Sequence, residues 1–260
     1  MSLFQQPASD GPVSDVQMPF TSHLAELRSR LVKSVLAVAV AFLACFGFAE
    51  EIFAVLTAPL KQLDVRGLML IGTAVTEAFF TKMKVSFVAA VILSSPILLW
   101  QLWQFIAPGL YEHEKRYTRS FASVGSVFFI AGAAFCYFIV IGHGLSFLLA
   151  RYEEIDIQPL LQIGDYLGLV SRLVLAFGIM FEMPVLAFFL ARVGILDHRL
   201  LIRQSRYALL AIALFAAVLT PPDLIAQILM MVPLMLLYGL SIGVAYAARY
   251  RMNRMERDAE

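Results

Sequence analysis

Trp103-Gln-Phe-Ile-Ala-Pro-Gly-Leu-Tyr-Glu-His-Glu-Lys-Arg-Tyr-Thr-Arg119 is a short polar bridge between two long apolar runs. Glu112 and Glu114 stand in it beside Tyr111, His113 and the cations Lys115, Arg116 and Arg119, and Pro108-Gly109 turns the chain just before them. A bridge of this kind predicts a cytosolic docking loop held at a membrane surface, with the remaining segments as its scaffold.

The composition agrees with that placement. Of 260 residues, 60% are hydrophobic and 15% charged, and the mean hydropathy is +0.80. Soluble domains run at about 45–50% apolar and about 25% charged. A chain of this size has too little interior to hide the difference, which predicts an all-α polytopic membrane protein. A net charge of +1 without a dominant basic face excludes a nucleic-acid binder. Cys45 and Cys136 lie in separate apolar runs and read as embedded thiols. The polar N-terminus carries no basic residue before Met18 and is not a secretory signal.

Around the bridge the chain divides into a disordered tail over residues 1–18, a six-span membrane domain over 19–248 and a basic, polar tail over 249–260. Between Pro19 and Lys33, Leu24, Leu27 and Leu31 form an apolar stripe, with Glu26, Arg30 and Lys33 on another face. This pattern predicts an amphipathic surface helix, with Glu26 well oriented to pair with Arg30. Spans are predicted near Leu31–Phe48, Phe79–Trp103, Phe121–Leu145, Tyr166–Ala191, Tyr207–Leu219 and Leu224–Ala248.

Details of the spans carry further expectations. Glu50–Thr76 is a loop folding back on the membrane, with turns at Pro59 and Gly67, and Gly144–Gly164 is a second loop on the same side. Ser95-Pro96 predicts a kink in span two, and Trp100 and Trp103 an aromatic belt. Gly125, Gly132, Ala133 and Ala134 let helices approach span three closely. Span five is short against the usual span of about 20 residues. Thr220-Pro-Pro-Asp223 predicts a helix start with Thr220 as N-cap, Pro221 as first helical residue and Asp223 as the reciprocal cap.

Lys and Arg are concentrated in the N-terminal helix, the Trp103–Arg119 bridge, the Arg192–Arg206 bridge and the C-terminal tail, against Lys61, Arg66 and Arg151 in the opposite loops. The positive-inside rule places both termini in the cytosol.

No catalytic, metal-binding or phosphate-binding motif is present, so neither an enzyme nor a cofactor is expected. What remains is acid among the cytosolic bases. Glu26, Glu112 and Glu114 offer carboxylate forks that match guanidinium groups. Spacing alone favours a solvated cluster, Glu26 with Arg30 and the loop acids with Lys115 and Arg116. Glu182 lies well inside span four, ten residues and about 15 Å of helix rise from Arg172. An intramembrane acid costs about 2.5–3.5 kcal/mol on the insertion scale, which favours a functional role.

Four blocks now stand in order: Ser-His-Leu-Ala-Glu-Leu-Arg-Ser-Arg-Leu (Ser22–Leu31), the Trp103–Arg116 loop, Phe-Glu-Met-Pro (Phe181–Pro184) and Leu-Thr-Pro-Pro-Asp (Leu219–Asp223). Together they resemble the TatC family, the multispanning receptor subunit of the twin-arginine protein translocase. The resemblance covers nearly all of Phe20 to Ala248.

The resemblance implies a concave, glove-like six-helix arrangement in a bacterial inner membrane. It implies binding of the twin-arginine signal peptides of folded cargo, with Glu26 and Glu114 gripping the arginines, Phe105 on the same surface and Arg28 in the motif. Glu112 is an extra acid that could share or compete for the peptide. Glu182 matches the family's buried acid, and Pro59 a family motif position. Asp223 and Gln227, with Thr220 beside them, fall near where the single-span partners TatB and TatA dock. Further implied are self-association in the receptor complex, contact with membrane lipids and export driven by the proton motive force. The alternative is a proton-coupled secondary transporter using Glu182, although no internal repeat supports it.

Overall fold

The structure is a computed structural model that describes residues 20–63, 68–106, 118–154, 158–220 and 223–257. The chain runs α1 (Phe20–Gly47), α2 (Ala49–Lys61), β1 (Met69–Ile71), α3 (Glu77–Ile106), α4 (Thr118–Phe135), a π-helical segment (Cys136–Ile141), α5 (Gly142–Glu154), β2 (Leu160–Gln162), α6 (Ile163–Met180), α7 (Glu182–Arg192), α8 (His198–Arg203), α9 (Ser205–Leu219) and α10 (Leu224–Arg257).

Five helical stretches among the described residues are long and apolar enough to cross a bilayer: Leu24–Gly47, Glu77–Ile106, Ser120–Ala150, Ile163–Arg192 and Leu224–Tyr250. The apolar residues of α1 stay exposed along its length, Leu31 at 60%, Val40 at 68% and Leu43 at 73%. A helix in water would not leave such a row uncovered, and lipid is the solvent that accepts it. The fifth predicted span, α9, has 15 residues. At 1.5 Å per residue it reaches about 22 Å, short of the ~30 Å hydrocarbon core.

The helices pack as a succession of neighbours. α1 lies on α3, α3 on α4 and α6, α4 on α6 and α7, and α7 on α10, which also carries α9. Polar contacts tie the two ends of α3 to the preceding helices: Arg30 Nη1 of α1 donates to Gln104 Oε1 at 2.6 Å, and Lys82 Nζ meets Glu50 Oε1 of α2 at 2.7 Å. At the Lys82 end β1 and β2 form a two-stranded parallel ribbon, Met69 opposite Leu160 and Ile71 opposite Gln162. Glu77 fastens that end. Its Oε2 accepts the Thr73 N–H at 2.6 Å and the Ala74 N–H at 3.3 Å, and its Oε1 the Gly164 N–H at 2.8 Å. The start of α3 is thereby bound to the start of α6.

Several expectations change. The amphipathic segment does not end before span one but is continuous with it in α1, because no Gly or Pro interrupts the run. The 50–76 loop begins with a three-turn helix, α2, that contains Pro59 rather than turning at it; Gly67 lies outside the described residues. Span three does not stop at Leu145 but continues through the π segment and α5 to Glu154. Span four is broken at Phe181 into α6 and α7, and α10 runs on to Arg257. Trp103 is not a belt residue. It is 2% exposed, stacked on Phe121 at 5.3 Å and edge-on to Phe189 at 4.7 Å, since its position on α3 faces α4 and α7 rather than lipid. Pro96 lies within an α3 that remains helical on both sides of it.

Candidate functional site

Two prolines create carbonyls without helical partners, and the fold fills both places. Pro96 has no N–H for the Ile92 carbonyl, and the neighbouring Ser95 hydroxyl donates to it at 2.7 Å. Pro59 likewise leaves Val55 unpaired, and the Tyr137 hydroxyl, from the π segment, donates to that oxygen at 2.7 Å. Tyr166 of α6 donates to the adjacent Leu56 carbonyl at 2.9 Å. Pro59 thus accounts for the Tyr137 bond to α2, and Tyr166 adds a second tie one residue further along. The sequence signal was present in the proline itself, but the two tyrosines are 82 and 110 residues along the chain from the carbonyls they meet.

At the opposite end, near the start of α1 and the end of α3, Glu26 Oε1 accepts two hydrogen bonds from Arg30: one from Nε at 2.9 Å and one from Nη2. The expected i,i+4 pair is formed. Its two side chains are about one-fifth exposed (19% for Arg30 and 23% for Glu26), so they are only partly screened by solvent. Arg30 then reaches across to Gln104, the residue before the half-buried Phe105. Sequence reasoning missed Gln104, although it lies inside the opening stretch. Both hydrogen bonds from Arg30 fall on Oε1 rather than Oε2. Arg28 is exposed on α1. Glu112 and Glu114, with residues 107–117 as a whole, lie outside the described residues.

Glu182 opens α7, immediately after the break at Phe181. It is 8% exposed, and its Oε1 has no hydrogen-bond partner among the described residues. The carboxylate lies against α4 where Gly125 provides room. One helical repeat further on, a side chain at Gly132 would meet the Phe177 carbonyl at 2.6 Å and Phe181 at 2.7 Å. The small residues of span three therefore admit one acid and one aromatic ring.

The Thr220–Asp223 turn corrects the expected cap. Thr220 follows α9 in an extended conformation, and its hydroxyl donates back to the Ala216 carbonyl at 2.9 Å. Asp223 is the N-cap of α10, accepting the Ala226 N–H at 3.1 Å and the Ile225 N–H at 3.4 Å. The cap falls on Asp223 because α10 begins at Leu224; Pro221 itself lies outside the described residues. Gln227 Nε2 donates to the Ala213 carbonyl at 3.0 Å, fastening α10 to α9.

Residues 22–233 match the family model described as Sec-independent protein translocase protein (TatC). The chain belongs to the TatC family. It is 46% identical to a Sec-independent protein translocase protein TatC of Campylobacter jejuni, over 92% of this chain and 96% of the relative. It is 43% identical to one from Desulforapulum autotrophicum, over 86% and 83% of the two chains. A solved structure, the crystal structure of twin arginine translocase receptor TatC, superposes with a TM-score of 0.80 at 36% identity, covering 87% of this chain and 99% of that one. This TatC chain is a multi-pass membrane protein and a translocase component of the Sec-independent pathway.

Proposed function

We propose that this chain is the signal-peptide receptor of a twin-arginine translocase in a bacterial inner membrane, with six spans and both termini in the cytosol. The observation that carries the proposal is the Glu26–Arg30–Gln104 chain, which fixes a carboxylate of α1 against the end of α3 that carries Phe105. A visiting guanidinium takes Glu26 Oε2 while Arg30 fixes the direction of the carboxylate. Arg28 supports this end of α1, and Glu114 receives the second arginine from the loop, with Glu112 as an auxiliary acceptor. Guanidinium is preferred over ammonium because its planar fork matches a carboxylate with two parallel bonds.

Assembly with the single-span TatB and TatA subunits uses the α9–α10 end, where Thr220, Asp223 and Gln227 set the angle between a short helix and a long one. Pro59 sets the seat of α2 at the same side of the membrane. The shortness of α9 supports a thinned bilayer next to that end, and export of folded cargo draws on the proton motive force.

The test is binding of a synthetic twin-arginine signal peptide to the purified full chain, with a photo-crosslinker at position Phe105. A labelled Phe105 adduct with the Arg-Arg peptide, at least tenfold weaker with Lys-Lys, is the expected result. Equal retention of both peptides, or retention unchanged in a combined Glu26→Gln and Glu114→Gln variant, would remove the proposed site.

A further inference from the structure

Lys84 of α3 and Arg172 of α6 converge on one residue. The Lys84 ammonium lies 3.5 Å from where a side chain at Gly168 would begin, and Arg172 Nε donates to the Gly168 carbonyl at 3.1 Å. Both side chains are exposed, and neither has a carboxylate partner among the described residues. Lys84 is seven residues from the start of α3 and Arg172 nine from the start of α6, depths of about 10 and 13 Å below the ribbon end. Two unpaired cations at that depth are costly unless something anionic meets them.

The surroundings indicate what that anion is. Lys84 stands at the margin of an otherwise apolar groove of about 700 Å³ between α1 and α3, lined by Val35, Ala39, Phe42, Phe87 and Val91 among others. The Arg172 side chain runs back toward Gly168, one turn nearer the ribbon end, the direction in which a long basic side chain meets headgroups. The bond to Gly168 uses only Nε, so the two terminal nitrogens of the guanidinium fork remain donors for a further acceptor. An apolar channel with Lys84 at its margin, and Arg172 bonded to the residue that Lys84 approaches, has the charge layout of an anionic lipid.

We propose that Lys84 and Arg172 together hold the phosphate of an anionic phospholipid whose acyl chain lies in the groove between α1 and α3. A carboxylate on a partner helix would satisfy the same charges, but only a lipid also fills the apolar groove beside Lys84, its phosphodiester offering two charged oxygens next to its acyl chains.

The test is native mass spectrometry of the full chain titrated in detergent with phosphatidylglycerol, with phosphatidylcholine and inorganic phosphate as separate arms. Phosphatidylglycerol is expected to load at least tenfold more tightly than phosphatidylcholine. That preference falls to less than twofold in the combined Lys84→Gln and Arg172→Gln variant, persists in Lys84→Arg, and is unchanged in Lys82→Gln, whose partner is Glu50. Filling the groove with Ala39→Phe weakens loading while keeping both cations, and carries the comparison if the double variant does not fold. Undiminished loading in both the double and the groove variant overturns the proposal. Displacement of the lipid by inorganic phosphate at equal concentration reassigns the cations to a free anion and overturns the lipid occupant.

Discussion

Gly125 and Glu182 contend for one volume. A Cβ placed on Gly125 would lie 2.8 Å from Glu182 Oε2 and 3.4 Å from Oε1. The acid therefore takes its place against a glycine three helices earlier in the chain, where a side chain would have to displace the carboxylate. Gly125→Ala is expected to cost about 1–3 kcal/mol, the usual penalty for overpacking. In a Glu182→Ala background the same change becomes nearly neutral. Thermal unfolding of the four proteins in detergent reads the coupling, and additive effects would show that the two residues do not compete.

Removing the hydroxyl in Tyr137→Phe leaves the Val55 carbonyl without its donor. A loss of about 1–3 kcal/mol is expected for a polar group stripped of its partner, toward the lower end here because the contact is exposed. Pro59→Ala restores a backbone N–H to that carbonyl, so the double variant recovers most of the loss. Failure of Pro59→Ala to rescue Tyr137→Phe would show that the tyrosine acts by packing alone.

Asp223→Ala removes the N-cap of α10 and is expected to cost about 1 kcal/mol, whereas Asp223→Asn costs a few tenths. Hydrogen exchange at the Ile225 and Ala226 amides should accelerate in the alanine variant. Thr220→Ala should leave those two amides unchanged, since its hydroxyl serves the end of α9 instead.

Gln104→Leu releases Arg30 from α3 while leaving Glu26 charged. Hydrogen bonds to charged groups contribute about 1.5–3 kcal/mol. If half of the lower figure goes to orienting the carboxylate, signal-peptide affinity falls about threefold, less than for Glu26→Gln. Isothermal titration of a twin-arginine peptide separates the two; an affinity unchanged by Gln104→Leu would make the contact purely architectural.

At the junction before α8, Asp197 caps the helix. The Arg199 backbone N–H bonded to it holds its carboxyl below the ordinary value of 3.8, and the charges of Arg249, His198 and Arg199 add to that effect. With the folded value depressed, the contribution to stability is fully present above the unfolded value and lost as pH falls through the folded one. The stability gap between the protein and Asp197→Asn should therefore be constant above about pH 5 and close as the pH is taken below about 3.9. A gap that widened on acidification would contradict the assignment.

The sequence by itself determined the elements that depend on local composition and spacing. Apolar runs too long for a soluble core marked the spans, and four ordered blocks marked the family. The i,i+4 spacing of Glu26 and Arg30 was enough to predict their pair, because helix geometry alone brings such residues together. Only the tertiary structure decided what each unsatisfied group meets. Tyr137 and Tyr166 reach the carbonyls around Pro59, Gly125 admits Glu182, Gln104 receives Arg30, and Lys84 and Arg172 meet over Gly168. Trp103 looked like a belt residue because hydropathy does not record which side of a helix faces protein. Partners lying dozens of residues apart are chosen by helix packing, and a one-dimensional pattern carries no distance between helices.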